Sequence, residues 1–175
     1  ILNRVVQWGT HGITYEADQR HAELIIQQFN LVAANSVVAA GDKDRTPEAW
    51  SQPLDAAGIS AYRSITARIN YLAQDRPDIT YASKEACRDL SAPTQKSWSK
   101  VKHIARYLVG KPRLVYEYRF QEHADLDTYV DSDYAGDFAS RKSTSGGCVM
   151  RGAHLIKHWS NNQSVIALSS GEAEL

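Results

Sequence analysis

From residue 60 onward the apolar residues of this chain change period once, near residue 112, and that change limits the fold more than any other feature. From Ser60 to Gly110 they recur three and four residues apart: Ile65, Ile69 and Leu72 with Tyr62, then Trp98, Val101, Ile104, Ala105, Leu108 and Val109. That is the spacing of helices with one buried stripe. From Leu114 onward apolar and polar residues alternate, as they do in strands. Helices gathered in one stretch and strands in another predict an α+β fold, with a mixed sheet in the later part.

Punctuating residues divide the chain further. Gly9-Thr10-His11-Gly12 separates two strand-like runs, Ile1 to Trp8 and Gly12 to Ala17, and predicts a β-hairpin. Asp18 is placed to cap a helix whose stripe is Ala22, Ile25, Ile26 and Phe29. His21, in its first turn, reads either as a nucleic-acid contact or as a surface histidine, since no partner is spaced to make it a ligand. Residues 32–58 are irregular, with loop signals at Gly41 to Pro47 and Ser51 to Pro53. Three segments follow: 1–58 with the hairpin, helix and loop; 59–112 helical; 113–175 rich in strands.

Within the helical segment the spacing predicts Ser60 to Ala73, a helix from Pro77 to about Leu90, and a third opened by Thr94 as N-cap and ended by Gly110. Strands are expected at Leu114 to Phe120, Leu126 to Asp131, Gly146 to Arg151 and His154 to Ser160, the last two joined tightly by Gly152-Ala153. Ser169 and Glu172 have capping-box spacing, so a helix starts there.

Equal numbers of basic and acidic side chains, 20 each, leave net charge silent about partners. Their distribution is informative. Lys84 to Arg119 is mostly basic and Glu122 to Leu175 mostly acidic, which suits a polyanion grip beside a metal site, or simply two solvated surfaces. Lys100, Lys102, His103 and Arg106 share the polar side of the third helix. Cys87 and Cys148 are far apart and make no zinc pattern, so both are expected as core thiols in a reducing compartment. No apolar run is long enough to span a bilayer. The chain begins without Met and stops at Glu172-Ala173-Glu174-Leu175, and reads as a piece of a longer polypeptide.

Asp131 and Asp133 stand two apart at the end of an apolar run. In a strand both carboxylates would point to one side and repel without a cation between them. A divalent metal on oxygen ligands is the usual resolution. Glu172 is used by the capping box, whereas Glu174 is left to face the sheet. Trp8, Trp50 and Tyr62 could stack on bases or pack in the core. A serine hydrolase built on Ser145 is disfavoured, because there is no Gly-x-Ser-x-Gly elbow.

Several blocks together resemble one family. Tyr62-Arg63-Ser64-Ile65, Arg76-Pro77-Asp78-Ile79, Pro93-Thr94 with Trp98, and Arg106-Tyr107-Leu108-Val109-Gly110 are similar to the end of copia-type retrotransposon reverse transcriptases. Asp131 to Asp137, Arg141-Lys142-Ser143-Thr144-Ser145-Gly146 and Gln163 to Ser170 resemble the start of their ribonuclease H domain. Tyr134 stands where that family usually has Trp, Ser97 where His is common, and Gly171 where Thr is frequent.

The resemblance implies a polyprotein fragment with three parts: a thumb-like hairpin, helix and loop; a helical connection; and a truncated RNase H-like sheet. The parent would copy RNA into DNA and cut the RNA strand of RNA–DNA hybrids with Mg²⁺ or Mn²⁺, in a cytoplasmic particle or the nucleus. Asp131 matches its first metal-ligating acid and Glu174 the helix-borne one, with Asp133 a neighbouring candidate. Lys100, Lys102, Arg106, Lys142 and Ser143 are candidates to touch an RNA–DNA hybrid or primer-template, Lys142 and Ser143 being equally explicable as turn chemistry. The rest of the polyprotein is the other expected partner. The alternative is a non-catalytic nucleic-acid-binding or structural remnant, since both active sites are incomplete within these residues.

Overall fold

The structure is a computed structural model that describes residues 3–41, 51–122, 125–137 and 140–175. The described residues form β1 (Val5–Gly9), β2 (Gly12–Glu16), α1 (Gln19–Gln28), α2 (Ala56–Ala73), α3 (Pro77–Arg88), α4 (Gln95–Gly110), β3 (Val115–Arg119), β4 (Leu126–Ser132), β5 (Thr144–Arg151), β6 (His154–Asn162) and the one-turn α5 (Ser170–Ala173). The α+β class holds. The mixed sheet does not: the two sheets, ordered β1-β2-β3 and β4-β5-β6, are antiparallel. A parallel neighbour needs a long crossover, and the links within the second sheet are loops that reverse the chain. The strand at Val115–Arg119 pairs with the N-terminal hairpin, not with β4.

Two compact units divide the chain, the first holding residues 1–9 and 13–116, the second 10–12 and 117–175. In the first, α1 to α4 pack around a core in which Ile25, Tyr62, Ile65, Ile69, Ile79, Val101 and Leu108 are fully buried. Burying each aliphatic side chain contributes about 1.5–3 kcal/mol. Local chemistry caps the helices, at Asp18 and Thr94 as expected and at Asp55 for α2, which starts at Ala56, four residues before the expected Ser60. Asp18 accepts the Arg20 N–H and Asp55 the Gly58 N–H. Thr94 and Ser97 cap α4 reciprocally: the Ser97 N–H donates to Thr94 Oγ1 and the Thr94 N–H to Ser97 Oγ, at 3.3 and 3.0 Å. The residue that replaces the family's common His thus has its own structural task. Tyr62 is core, its hydroxyl donating to the Ala86 carbonyl at 2.6 Å. Trp8 is 75% exposed, and Trp50 lies outside the described residues, as does the loop at 42–50.

Polar side chains tie the elements of this unit together. Asp75, just past α2, accepts from Arg4 Nε at 2.7 Å and from the Tyr15 hydroxyl at 2.5 Å, while its carbonyl accepts from the Tyr116 hydroxyl. One residue thus holds β2, β3 and the residue that leads into β1. Arg76 is 1% exposed. Its guanidinium makes a two-point pair with Asp78, at 2.9 and 2.7 Å, and also donates to the Lys111 and Pro112 carbonyls beyond α4. The Tyr107 hydroxyl completes the group on Asp78 at 2.8 Å.

His21 sits between α1 and α2. Its ring lies 4.7 Å from that of Tyr71, Arg68 Nη1 is 3.4 Å from Nδ1, and Asp18 Oδ2 is 3.7 Å from Nε2. Arginine only donates, so a hydrogen bond from Arg68 requires the lone pair of Nδ1 and favours the neutral ring. Burial lowers the His21 pKa; Asp18 pulls the other way, and the Arg68 and Arg20 cations add smaller downward shifts. The unfolded chain therefore binds the proton more readily. The contribution is complete above the ordinary histidine value of about 6.5 and is lost as pH falls below it. Urea midpoints at pH 7.5 and 5.5 should fall further for the native chain than for His21→Gln; equal falls would remove His21 from the acid response.

In the second unit Gly152, at φ 55°, makes the two-residue turn between β5 and β6. A bulge interrupts that pair between Val149 and Met150. Trp159, opposite Gly147, lies across it: a Cβ at 147 would stand 2.4 Å from the indole and 2.5 Å from the Tyr129 carbonyl. Leu126, Tyr129 and Val130 on β4 are 67%, 60% and 68% exposed, so this edge strand carries apolar surface on both faces.

Candidate metal centre

Asp131 is the penultimate residue of β4, paired with Gly146 of β5. It is exposed and forms no hydrogen bond or ion pair with a described residue. Side chains alternate, so Asp131 shares one face with Asp127, Tyr129 and Gly146, and Ser132 shares the other with Ser145.

Asp133 is not the same-face partner its spacing suggested. The strand ends at Ser132, and the Asp133 carboxylate folds back to accept the Thr144 N–H at 2.7 Å and the Gly136 N–H at 3.3 Å. Those bonds close the loop between β4 and β5. Ser143 seals it from inside: it is fully buried, and its hydroxyl accepts the Ala135 N–H at 3.0 Å. Ala135 and Arg141 take positive φ there, at 52° and 59°. Lys142 is half-buried on the same loop.

Glu174 is exposed at the C-cap of α5. Ser169 caps that turn by accepting the Glu172 N–H, but Glu172 closes on the Leu168 N–H at 2.7 Å rather than on the cap residue itself. Gln163, which sequence reasoning did not single out, clasps the turn. Its side-chain amide donates to the Ala173 carbonyl at 2.6 Å and to Ser145 Oγ at 2.9 Å. Gln163 thus ties α5 to Ser145 of β5. No three His, Cys, Asp or Glu side chains gather into a metal-sized group among the described residues.

The basic side of α4 has specific partners. Lys100 pairs with Asp89 at 3.0 Å, His103 Nε2 lies 3.0 Å from the Ala39 carbonyl, and Arg106 Nε donates to the Asn35 carbonyl at 3.2 Å. Lys102 is exposed.

Comparison with known proteins decides the family. A Pol polyprotein from transposon RE2 of Arabidopsis thaliana is 36% identical over 113 residues, which are 65% of this chain and 8% of that protein. The Pol polyprotein of the tobacco transposon TNT 1-94 is 28% identical over 98% of this chain and 13% of its own length. This chain belongs to the copia-type retrotransposon Pol polyproteins. It spans only a small part of those polyproteins. A secreted RxLR effector protein of Plasmopara viticola is also similar, 34% identical over 65% of this Pol chain and 80% of the effector. No family profile and no solved structure matches this Pol chain. No helix among the described residues is long and apolar enough to cross a membrane.

Proposed function

We propose that this chain is the junction of a reverse transcriptase and the ribonuclease H that follows it in a retrotransposon polyprotein, acting inside the host cell. Residues of the first unit serve as thumb and connection, and the second unit opens the nuclease. Asp131 carries the assignment: a carboxylate at the end of an antiparallel strand, exposed and without an internal partner, in a chain of this family. Glu174 is the second ligand. Two carboxylates are a donor set that suits Mg²⁺, which commonly takes one or two from protein and completes its shell with water and substrate phosphate. When bound, such ions activate water and stabilise the leaving oxygen of a phosphodiester.

The chain's own residues do the rest. Asp133 and Ser143 hold the loop beside Asp131 in one conformation. Lys100, Lys102 and the outer N–H groups of Arg106 on α4 meet phosphates, as does Lys142 on the loop before β5, and the partner is an RNA–DNA hybrid. The complete polyprotein should cut the RNA strand of a labelled hybrid in Mg²⁺, spare duplex DNA, and stop when the metal is chelated. Hybrid left whole in Mg²⁺ would end the nuclease reading. The absence of a three-ligand group among the described residues favours one alternative, a nucleic-acid-binding remnant without catalysis. Salt-sensitive retention of hybrid without cleavage would select it.

A further inference from the structure

The segment from Leu31 to Gly41 crosses the polar side of α4, where the proposed phosphate contacts lie. Leu31 and Ala40 anchor its two ends in the core, and Ala34 and Val37 pack against it. Between those anchors the segment shows its other apolar side chains to solvent: Val32 is 75% exposed and Val38 95%. Between the anchors it meets α4 through main-chain carbonyls, Asn35 O on Arg106 Nε and Ala39 O on His103 Nε2. A third contact is steric. Gly110, the last residue of α4, has ordinary backbone angles, so its missing side chain serves space rather than conformation. A Cβ there would stand 2.8 Å from Ser36 Cβ and 2.9 Å from its hydroxyl.

We propose that residues 32–39 form a strap that competes with nucleic acid for the basic face of α4. The carbonyls that hold the strap are neutral acceptors, and Arg106 has no carboxylate partner among the described residues. A phosphate oxygen is the stronger acceptor for a guanidinium, because both partners are charged. Nucleic acid therefore displaces the strap, and the strap lowers affinity by keeping the face covered in the free chain. The inference rests on the proposed nucleic-acid role of α4, and assigns that face its regulation.

Gly110→Ala tests it without touching a cation. The new methyl lifts Ser36 and with it the strap, which NMR follows at the Asn35, Ala39 and His103 signals. An RNA–DNA hybrid should bind Gly110→Ala several-fold more tightly than the native chain. The dependence on salt should steepen by about one for each phosphate contact released. Adding Ser36→Gly restores the space and should return both the signals and the affinity to native values. Unchanged signals in Gly110→Ala would show that Ser36 does not seat the strap and overturn the proposal. A displaced strap with equal or weaker binding would overturn it too, leaving the nucleic-acid role of α4 intact. Hybrid bound by none of the three proteins would remove that role and the strap's competition together.

Discussion

Asp131→Asn in the complete polyprotein is expected to take hybrid cleavage to background while DNA synthesis continues. The substitution keeps the size of the side chain and removes its charge, and a hard divalent ion held by few protein ligands depends on that charge. Lewis-acid stabilisation by such an ion is worth several kcal/mol, so the loss is on the order of a thousandfold in rate. Asp131 is exposed and has no partner among the described residues, so the fold should melt as before. Labelled hybrid and a primer-extension template, assayed on the same preparation, separate the two activities. Glu174→Gln is the informative companion. The Gln163 clasp holds α5 to Ser145 of β5, so the position of Glu174 depends on it. Full cleavage by Glu174→Gln would strip Glu174 of its role and leave Asp131 with other ligands. Full cleavage by Asp131→Asn would remove the centre itself.

Arg76→Ala should cost about 3–5 kcal/mol, the usual result of removing one member of a buried ion pair, against a typical total of about 5–15 kcal/mol for a domain. Three things are lost together. Asp78 loses its two-point partner, the Lys111 and Pro112 carbonyls lose their donors, and the space of a nearly fully buried side chain opens where α3 begins and α4 ends. Burial alone would push the Asp78 carboxyl up, but Arg76 and the Tyr107 hydroxyl hold it below the ordinary value. The stabilisation from that carboxylate is thus present at neutral pH and fades as pH falls through the acid range. Arg76→Lys should recover little, because an ammonium cannot bridge both carboxylate oxygens and two carbonyls in one plane. The denaturant midpoint of the first unit reads the effect, with hydrogen exchange along α3 and α4 as the local check. A midpoint shift equivalent to under about 1 kcal/mol would show that the pair is dispensable.

The helices were legible in the sequence because each carries its own instructions. The caps at Asp18 and Thr94, Pro77 at the start of α3 and the apolar stripes act within a few residues, and each element formed within about one turn of its expected bounds. Strand positions were legible for the same reason. Strand partners were not. Nothing in Val115–Arg119 states that it pairs with a hairpin about a hundred residues earlier, because pairing is decided by contacts remote in sequence. The candidate site divides along the same line. The spacing identified Asp131 and Glu174 as carboxylates without local employment. It placed Asp133 on the strand, when loop closure with Thr144 takes that residue away. Gln163 opens a block that resembles the family, but a single amide announces neither of its two acceptors.

The basic row on α4 shows how charge read in one dimension overstates what is available. Lys100, His103 and Arg106 fall on one side of a helix, as spacing requires. Their nearest acceptors come from α3's end and from a segment some seventy residues away, which no local pattern reports.

Gly147 and Trp159 carry a consequence for how this sequence can change over time. The indole occupies the volume that any other residue at 147 would need, and the Tyr129 carbonyl closes the other side. A lineage cannot acquire a side chain at 147 while the large ring remains at 159, except through a poorly folded intermediate. The permitted route shrinks the ring first and fills the glycine second, so the order of two substitutions, rather than either one, is what selection would see.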